Sequence, residues 1–342
     1  MVQFTLEFEK PIAEIETRIA ELENLSEEER RNANNELVAL RRKLTETMKT
    51  VYANLTPWQR VQLARHPARP YTRDYIDRIF TGFMELHGDR RFADDPAIVG
   101  GFAKIGGIPV MVIGTQKGRN TKESVFRNFG CPHPEGYRKA LRLMQIADLA
   151  NLPVITLIDT PGAFPGVASE ERHIGEAIAV NLRDMYSLNV PVICTIIGEG
   201  GSGGALGLGV GNKVMLMENA YYSVITPEGC AAILWKDRSF SEKAAAALHL
   251  TASDLLELRL IDEIIPEPAG GAHRDYDGAA ENLRAALLRS LEQFKDLSPK
   301  QLKDQRYERF RSIRFYDEPA AEETEKDASA QKKTAARKDP EK

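Results

Sequence analysis

Three stretches of this chain share one pattern: GGIPVMVIGTQKG (106–118), NLPVITLIDTPGAFPG (151–166) and NVPVICTIIGEGGSGG (189–204). Each has a proline, then a run of Val, Ile and Leu, then a polar or glycine-rich turn. The prolines, Pro109, Pro153 and Pro191, are 44 and 38 residues apart. Continuous apolar runs mark strands buried on both faces, and proline suits the first position of a strand. The intervening segments EGYRKALRLMQIADLA and SEERHIGEAIAVNLRDMYSL have helical spacing. In the second, Ser169 is predicted to cap the helix, with Glu170 and Glu171 in the first turn. Its apolar stripe is Ile174, Ile178, Leu182 and Met185. A fourth unit follows in KVMLMEN and YYSVITPEGCAAILW, where Thr226, Pro227 and Glu228 read as cap, first-position proline and favourable acid. LRLIDEIIPEP (258–268) reads as a short late strand. Repeats of about 40 residues predict an α/β body. Its ligand-facing loops should be the turns at the carboxyl ends of the strands: GTQKGRN, DTPGAFPG and GEGGSGG.

The flanks differ. Residues 11–55 carry two helical stripes, Ile12, Ile15, Ile19, Leu22 and then Leu37, Leu40, Leu44, Met48, separated by the polar stretch NLSEEERRNANN with Ser26 as cap. They predict a helical hairpin, or a short coiled coil, that packs on the body or docks a partner. The stretch from Asp317 onward has no Leu, Ile, Val, Met or aromatic residue and predicts a disordered charged tail. The expected organisation is therefore a helical arm (1–69), a body (70–316) and a tail (317–342).

A net charge of −4 gives no electrostatic case for nucleic acid. No apolar run approaches the ~18 residues that suggest a bilayer span. The acidic N-terminal stretch does not read as a secretory signal. Cys131, Cys194 and Cys230 are far apart, with no CxxC pair, so neither a disulfide framework nor a zinc site is indicated. A reducing cytoplasm is the expected setting.

The stretch GEGGSGGALGLGVG (198–211) is eight-fourteenths glycine. Glycine loses the most backbone entropy on folding, so something there requires bare backbone. A phosphate loop fails, because Gly204 and Ala205 stand where Lys and Ser or Thr are needed. Gly198, Gly200 and Gly203 match the dinucleotide fingerprint literally, with Glu218 twenty residues on. Against it, Gly207, Gly209 and Gly211 run into what should be a firm helix. A third reading is an oxyanion hole, in which backbone N–H groups meet developing negative charge. The turn Thr160-Pro161-Gly162-Ala163 on the neighbouring repeat would frame the same cleft. Tight packing of helix on sheet also explains part of the glycine content, Gly207, Gly209 and Gly211 above all.

Side-chain catalysts are few. His66, His87, His133, His173, His249 and His273 are scattered, without HExxH spacing. Ser202 sits in a literal GxSxG, but no acid and histidine partners are identifiable. Asp159 reads as a cap or turn residue, Glu199 as a partner of nearby backbone ahead of a ligand-orienting role, and Lys117, Arg119 and Lys122 as a solvated face ahead of an attractant for anionic substrate. The inventory fits a chemistry run by backbone donors, with the substrate supplying its own base.

The segments RPYTRDYID, ELHGDRRFADDPAIVGG, GTQKGRNTKE, NFGCPHPEGYRKALRLMQ, IDTPGAFPG, CTIIGEGGSGGALGLGVG, VITPEGCAAILW and IIPEPAGGAHRD together resemble the carboxyltransferase alpha subunit of multi-subunit acetyl-coenzyme A carboxylase. The likeness runs from about residue 4 to residue 316. It implies a crotonase-like (ClpP/crotonase) superhelix of ββα units with an N-terminal helical hairpin. It also implies carboxyl transfer from carboxybiotin, borne by a biotin carrier protein, to acetyl-CoA, giving malonyl-CoA for fatty acid synthesis. The implied partners are a beta chain in an α2β2 assembly, the carrier protein and biotin carboxylase. The resemblance also implies zinc in the beta chain and no cofactor bound permanently by this one. The implied site is the N–H pair of Gly203 and Gly204, holding the biotin ureido oxygen, with Gly162, Ala163, Gly200 and Gly201 lining the cleft. On that reading Gly204→Val abolishes transfer and leaves the fold intact. A crotonase-type hydratase or isomerase and a nucleotide-binding dehydrogenase are the alternatives.

Overall fold

The computed structural model describes residues 4–313; the predicted tail lies outside them. Eight strands form one mixed sheet: β1 (Thr81–Glu85), β2 (Ile98–Ile105), β3 (Ile108–Thr115), β4 (Val154–Thr160), β5 (Val192–Gly201), β6 (Lys213–Met217), β7 (Tyr221–Ser223) and β8 (Glu263–Ile265). The order is β1-β2-β3-β4-β5-β6-β8, and β7 pairs with the end of β5. The first three strands form an antiparallel meander, and the pairing is parallel from β3 to β8. Gly106 and Gly107 close the β2–β3 hairpin with φ of 56° and 84°, the positive values a two-residue primed turn requires.

The repeated apolar runs became the centre of this sheet. Every residue of β4 and β5 is buried, as two-sided coverage demands. Pro153 and Pro191 immediately precede their strands, while Pro109 is the second residue of β3 and pairs with Lys104. The helix Pro134–Leu149 crosses from β3 to β4, and Ile174–Met185 crosses from β4 to β5. That second crossover departs from expectation. Ser169 does not cap it; Ser169 is buried inside a separate short helix, Val167–Glu171. The long helix instead starts after His173, whose φ of 63° breaks the run. The charged sequence SEERH has helical composition, but the chain must turn there to lay Ile174 and Ala177 against Tyr137.

The N-terminal stripes form the predicted hairpin. Helix Lys10–Glu23 lies against Asn34–Ala53, with Ile15, Ile19 and Leu22 packed on Leu37, Leu40 and Leu44. The intervening stretch, read as a turn, holds its own helix, Glu27–Asn32, capped by Ser26 in a reciprocal box with Glu29. The hairpin is tied to the body at Glu9. Its Oε1 accepts from Tyr52 Oη (2.5 Å) and lies 3.1 Å from His273 Nε2. The His66 ring stacks on His273 with centroids 4.2 Å apart. Burial would raise the Glu9 pKa, but the His273 and Tyr52 hydrogen bonds outweigh it and hold the group at about 2. Burial, reinforced by His273, pushes His66 down to about 4.

These shifts set a pH dependence for the arm. A histidine whose folded pKa lies below its ordinary value of 6.5 contributes stability above 6.5 and loses it as pH falls toward 4. Glu9 adds a loss of the same sign below its ordinary 4.5. Hydrogen exchange in residues 10–53, corrected for intrinsic rate, should therefore rise several-fold between pH 7 and pH 5. His66→Gln should flatten that rise; an unchanged rise in the variant would take the sensitivity away from His66.

Candidate functional site

The turns at the carboxyl ends of β3, β4 and β5 converge. Thr160 is in register with Gly200 across the β4–β5 pair. Beyond it the two glycine turns touch through bare backbone. A Cβ on Gly201 would lie 2.1 Å from Pro161 O, and one on Gly204 would lie 2.4 Å from Ala163 N and 2.5 Å from Gly162 C. The sequence-predicted residues of the two turns are thus neighbours. Their glycines serve different ends. Gly200 is hemmed in by Tyr222 and the Tyr221 carbonyl at 2.9 and 3.0 Å from its notional Cβ, so sheet packing accounts for it. Gly207 meets Tyr137, and Gly211 meets Cys194 and the Val192 carbonyl, as the packing reading anticipated. Gly203 is different: its Cβ would touch only Ile178, at 3.9 and 4.0 Å. Gly162, with a φ of 152°, would meet only Ser202 Cβ, at 3.9 Å.

After β5 the chain enters a short helix, Ser202–Leu206, through Ser202 at φ 56°. The N–H groups of Ser202, Gly203 and Gly204 fall in its first turn, where no intrahelical acceptor exists. They are donors presented beside the Gly162–Ala163 backbone. The helix stops at Leu206, so the firm helix a dinucleotide fingerprint needs is absent from this segment. Glu218 accepts from the Glu267 backbone N–H rather than facing the turns. Among the described residues Ser202 makes no hydrogen bond to a histidine or carboxylate, which removes the serine-triad reading. Gly204→Val cannot leave the fold intact, contrary to the sequence expectation, because the atoms it meets are backbone and cannot step aside.

Beneath the turns lies a charge network that sequence reasoning misassigned. Lys117 is mostly shielded from solvent, its side chain 13% exposed, and does not lie on a solvated face. Its Nζ donates to Asp159 Oδ1 (2.6 Å) and Glu199 Oε2 (2.7 Å). Asp159 Oδ1 also accepts the Glu199 backbone N–H at 2.8 Å. Glu199 does not bind nearby backbone through its carboxylate. Its Oε1 accepts from Arg65 Nε (2.6 Å) and Tyr221 Oη (2.8 Å). Burial opposes ionisation of Glu199, but Lys117 and Arg65 hold its pKa at about 2. Burial likewise disfavours the charged Lys117, and the two carboxylates reverse this, pushing its pKa well up. Arg119 stays partly exposed, stacked on the Tyr71 ring at 3.9 Å and bonded to the Pro67 and Arg69 carbonyls and to Asp74. Lys122 is exposed. Arg65 was missed because nothing local marks it: it ends the helix Pro57–Ala64, far in sequence from every glycine turn.

The remaining histidines do not converge on the turns. His133 stacks on Phe164 (4.2 Å) and approaches Ser169 Oγ at 2.7 Å, bracing the loop after Gly162. Glu9, His66 and His273 bring three possible ligand atoms within 4.8 Å of one another. Both His66 ring nitrogens already have backbone partners, Phe4 O and Ala68 N, and Arg274 Nε stands 3.5 Å from Glu9, so the set is occupied by protein. Among the described residues no helix is long and apolar enough to cross a membrane.

Known proteins resemble this chain along most of its length. Residues 5–314 match the family model described as acetyl co-enzyme A carboxylase carboxyltransferase-like. The chain is 55% identical over 314 residues to the acetyl-coenzyme A carboxylase carboxyl transferase subunit alpha of Thermus thermophilus, covering 92% of this chain and 99% of that one. It is 58% identical over 310 residues to the same subunit of Pasteurella multocida, covering 90% and 98%. Among solved structures, the transcarboxylase 12S core aligns with a TM-score of 0.54 at 21% identity, over 66% of this chain and 42% of that one. A Pseudomonas malonate decarboxylase heterodimer aligns at 0.52 and 16%, over 64% and 89%. At those identities the structures speak to the fold, which is of the crotonase type found in carboxyltransferases.

Proposed function

The chain belongs to the acetyl-coenzyme A carboxylase carboxyltransferase family as an alpha-type subunit, and from this premise we propose that its glycine turns form the biotin side of a carboxyltransfer site shared with a beta chain. The family is biotin-dependent, and an alpha subunit implies a beta partner. The finer assignments are ours: an α2β2 assembly, carboxybiotin delivered on a biotin carrier protein charged by biotin carboxylase, zinc in the beta chain, a cytoplasmic setting, and residues 70–316 as the catalytic body.

The observation that carries the reading is the bare cradle at Gly203. First-turn N–H donors stand beside Gly162 and Ala163, and nothing but Ile178 lies near the space a side chain would take. A ureido oxygen needs such donors and such room. Carboxybiotin, when bound, supplies the carboxyl group and a ring nitrogen able to take a proton from the acetyl-CoA methyl group. This chain's part is electrostatic. The N–H groups of Gly203 and Gly204 donate to the oxygen on which negative charge builds. A donor of this kind contributes about 3 kcal/mol when aimed at the charge that develops. Gly162 and Ala163 wall the cleft, and Gly200 and Gly201 hold the turn at the depth where the two backbones meet. The acetyl-CoA enolate oxygen falls to the partner chain, so this chain needs no general base of its own. The product is malonyl-CoA.

The test is the reverse reaction. Malonyl-CoA and a soluble biotin derivative are supplied, and acetyl-CoA formation is followed with this chain alone and with its beta partner. Activity is expected only from the mixture. Activity from this chain alone would overturn the shared site, and silence from an assembled complex would overturn carboxyl transfer.

A further inference from the structure

We propose that Lys117 is a positioning residue for carboxyl transfer: its single ammonium ties the ends of β4 and β5 together and neutralises the charge beneath the donor turn. The inference rests on the reading of the glycine turns given above. Three neighbouring strand ends contribute. Lys117 stands two residues after β3, Asp159 is the penultimate residue of β4, and Glu199 lies near the end of β5. Asp159 is one residue before Thr160, which opens the first turn, and Glu199 is four before Gly203. The ammonium bridges the two carboxylates at 2.6 and 2.7 Å. Gly198 makes room for the arrangement, since a Cβ there would lie 2.5 Å from Asp159 Oδ1. Bare backbone at the start of the glycine run is therefore explained by the network rather than by substrate. Gly130 makes room on the other side, where a Cβ would lie 2.6 Å from Lys117 Cγ.

The charge count gives the network a catalytic consequence. Lys117 is shared by Asp159 and Glu199, while Arg65 is divided between Glu199 and the more exposed Glu228, and the Lys117, Asp159 and Glu199 side chains are 13%, 1% and 8% exposed. Removing the ammonium takes from Asp159 its ion-pair partner and adds one unit of uncompensated negative charge close along the chain to donors whose task is to hold a developing anion. Like charge at short range in a water-poor site opposes that anion. The effect falls on the transition state, where the charge develops, and much less on the bound ground state. Arg69, whose guanidinium also feels Asp159, cannot take over, because it is held by Glu267 and the Ile197 carbonyl.

The experiment uses the reconstituted complex with its beta partner and the reverse reaction. Lys117→Met is expected to lower kcat at least a hundredfold with the KM for malonyl-CoA changed less than threefold. Adding Asp159→Asn, which removes the uncompensated charge, is expected to bring kcat back to roughly a tenth of wild type. A single variant within threefold of the wild-type kcat would overturn the proposal. So would a double variant no better than a folded single one, or a double variant at the wild-type rate, since the lysine would then be dispensable to the turns. If Lys117→Met does not assemble, the double variant decides by the same scale: about a tenth of wild type supports the proposal and the full rate overturns it. Wild-type complex measured alongside separates the two levels. Wild-type silence counts against the turn reading itself, and an active wild type with an equally active variant counts against Lys117 alone.

Discussion

Gly204→Ala lowers carboxyl transfer by at least a hundredfold and lowers the stability of the fold by about 1–3 kcal/mol. The notional Cβ stands 2.4 Å from Ala163 N, 2.5 Å from Gly162 C and 2.8 Å from Gly162 Cα. Real atoms do not approach so closely, and these belong to a turn already in contact with β5 through Pro161 and Gly201. The two turns must part by several tenths of an ångström. That is a displacement of the donors themselves, and misplacement of about 1 Å at a catalytic group costs on the order of a hundredfold. Gly203→Ala is the companion. Its Cβ meets Ile178 at 3.9 Å and no backbone, so its melting temperature should match wild type, while the rate falls tenfold or more as the methyl enters the cradle. A Gly204→Ala protein that melts like wild type would show that the turns part freely. A Gly203→Ala protein at full rate would detach the oxygen site from Gly203.

The architecture was legible where one residue type dominates a segment. The runs after Pro153 and Pro191 could only be strands buried on both faces, and β4 and β5 are that. Thr226 and Ser26 cap helices because their neighbours carry the matching pattern, and both accept the expected backbone N–H. The start of the second crossover was not legible, because His173 takes a left-handed conformation for which histidine gives no local signal. At the site, the nearness of the two glycine turns followed from their place in neighbouring repeats. The partners of Lys117, Asp159 and Glu199 did not. Each residue is 40 or more positions from the next, and charged residues at or beyond strand ends ordinarily face water. The missing signal was Gly198, whose bareness is required by a carboxylate arriving from the adjacent strand. Arg65 shows the same limit more strongly, since 134 positions separate it from Glu199.

Glu267→Ala lowers stability by about 3–5 kcal/mol, because it strands a buried guanidinium. The side chains of Arg69 and Glu267 are both 0% exposed. Two parallel hydrogen bonds join them, Nη1 to Oε2 at 3.1 Å and Nη2 to Oε1 at 2.5 Å. The guanidinium also donates from Nε to the Ile197 carbonyl at 2.7 Å, one residue before the glycine run. The carboxylate accepts from the Asn219 and Ala272 backbone N–H groups at 3.0 and 2.8 Å. Each partner is thus held on a different part of the body, and losing one leaves the other charged without water. Arg69→Met should cost a similar amount, while Arg69→Met with Glu267→Leu should cost clearly less than the sum, since no lone charge remains. It should not return to wild type, because Ile197 O and the two N–H groups still lose their partners. Burial opposes ionisation of Glu267, yet Arg69 and the backbone donors hold its pKa below the ordinary 4.5. Its contribution is therefore complete above 4.5 and is lost as pH falls through the folded value. Urea unfolding of the two single variants and the double variant at pH 7 measures the cycle. Additive losses would mean that the two side chains are stabilised separately, and that the paired geometry contributes nothing of its own.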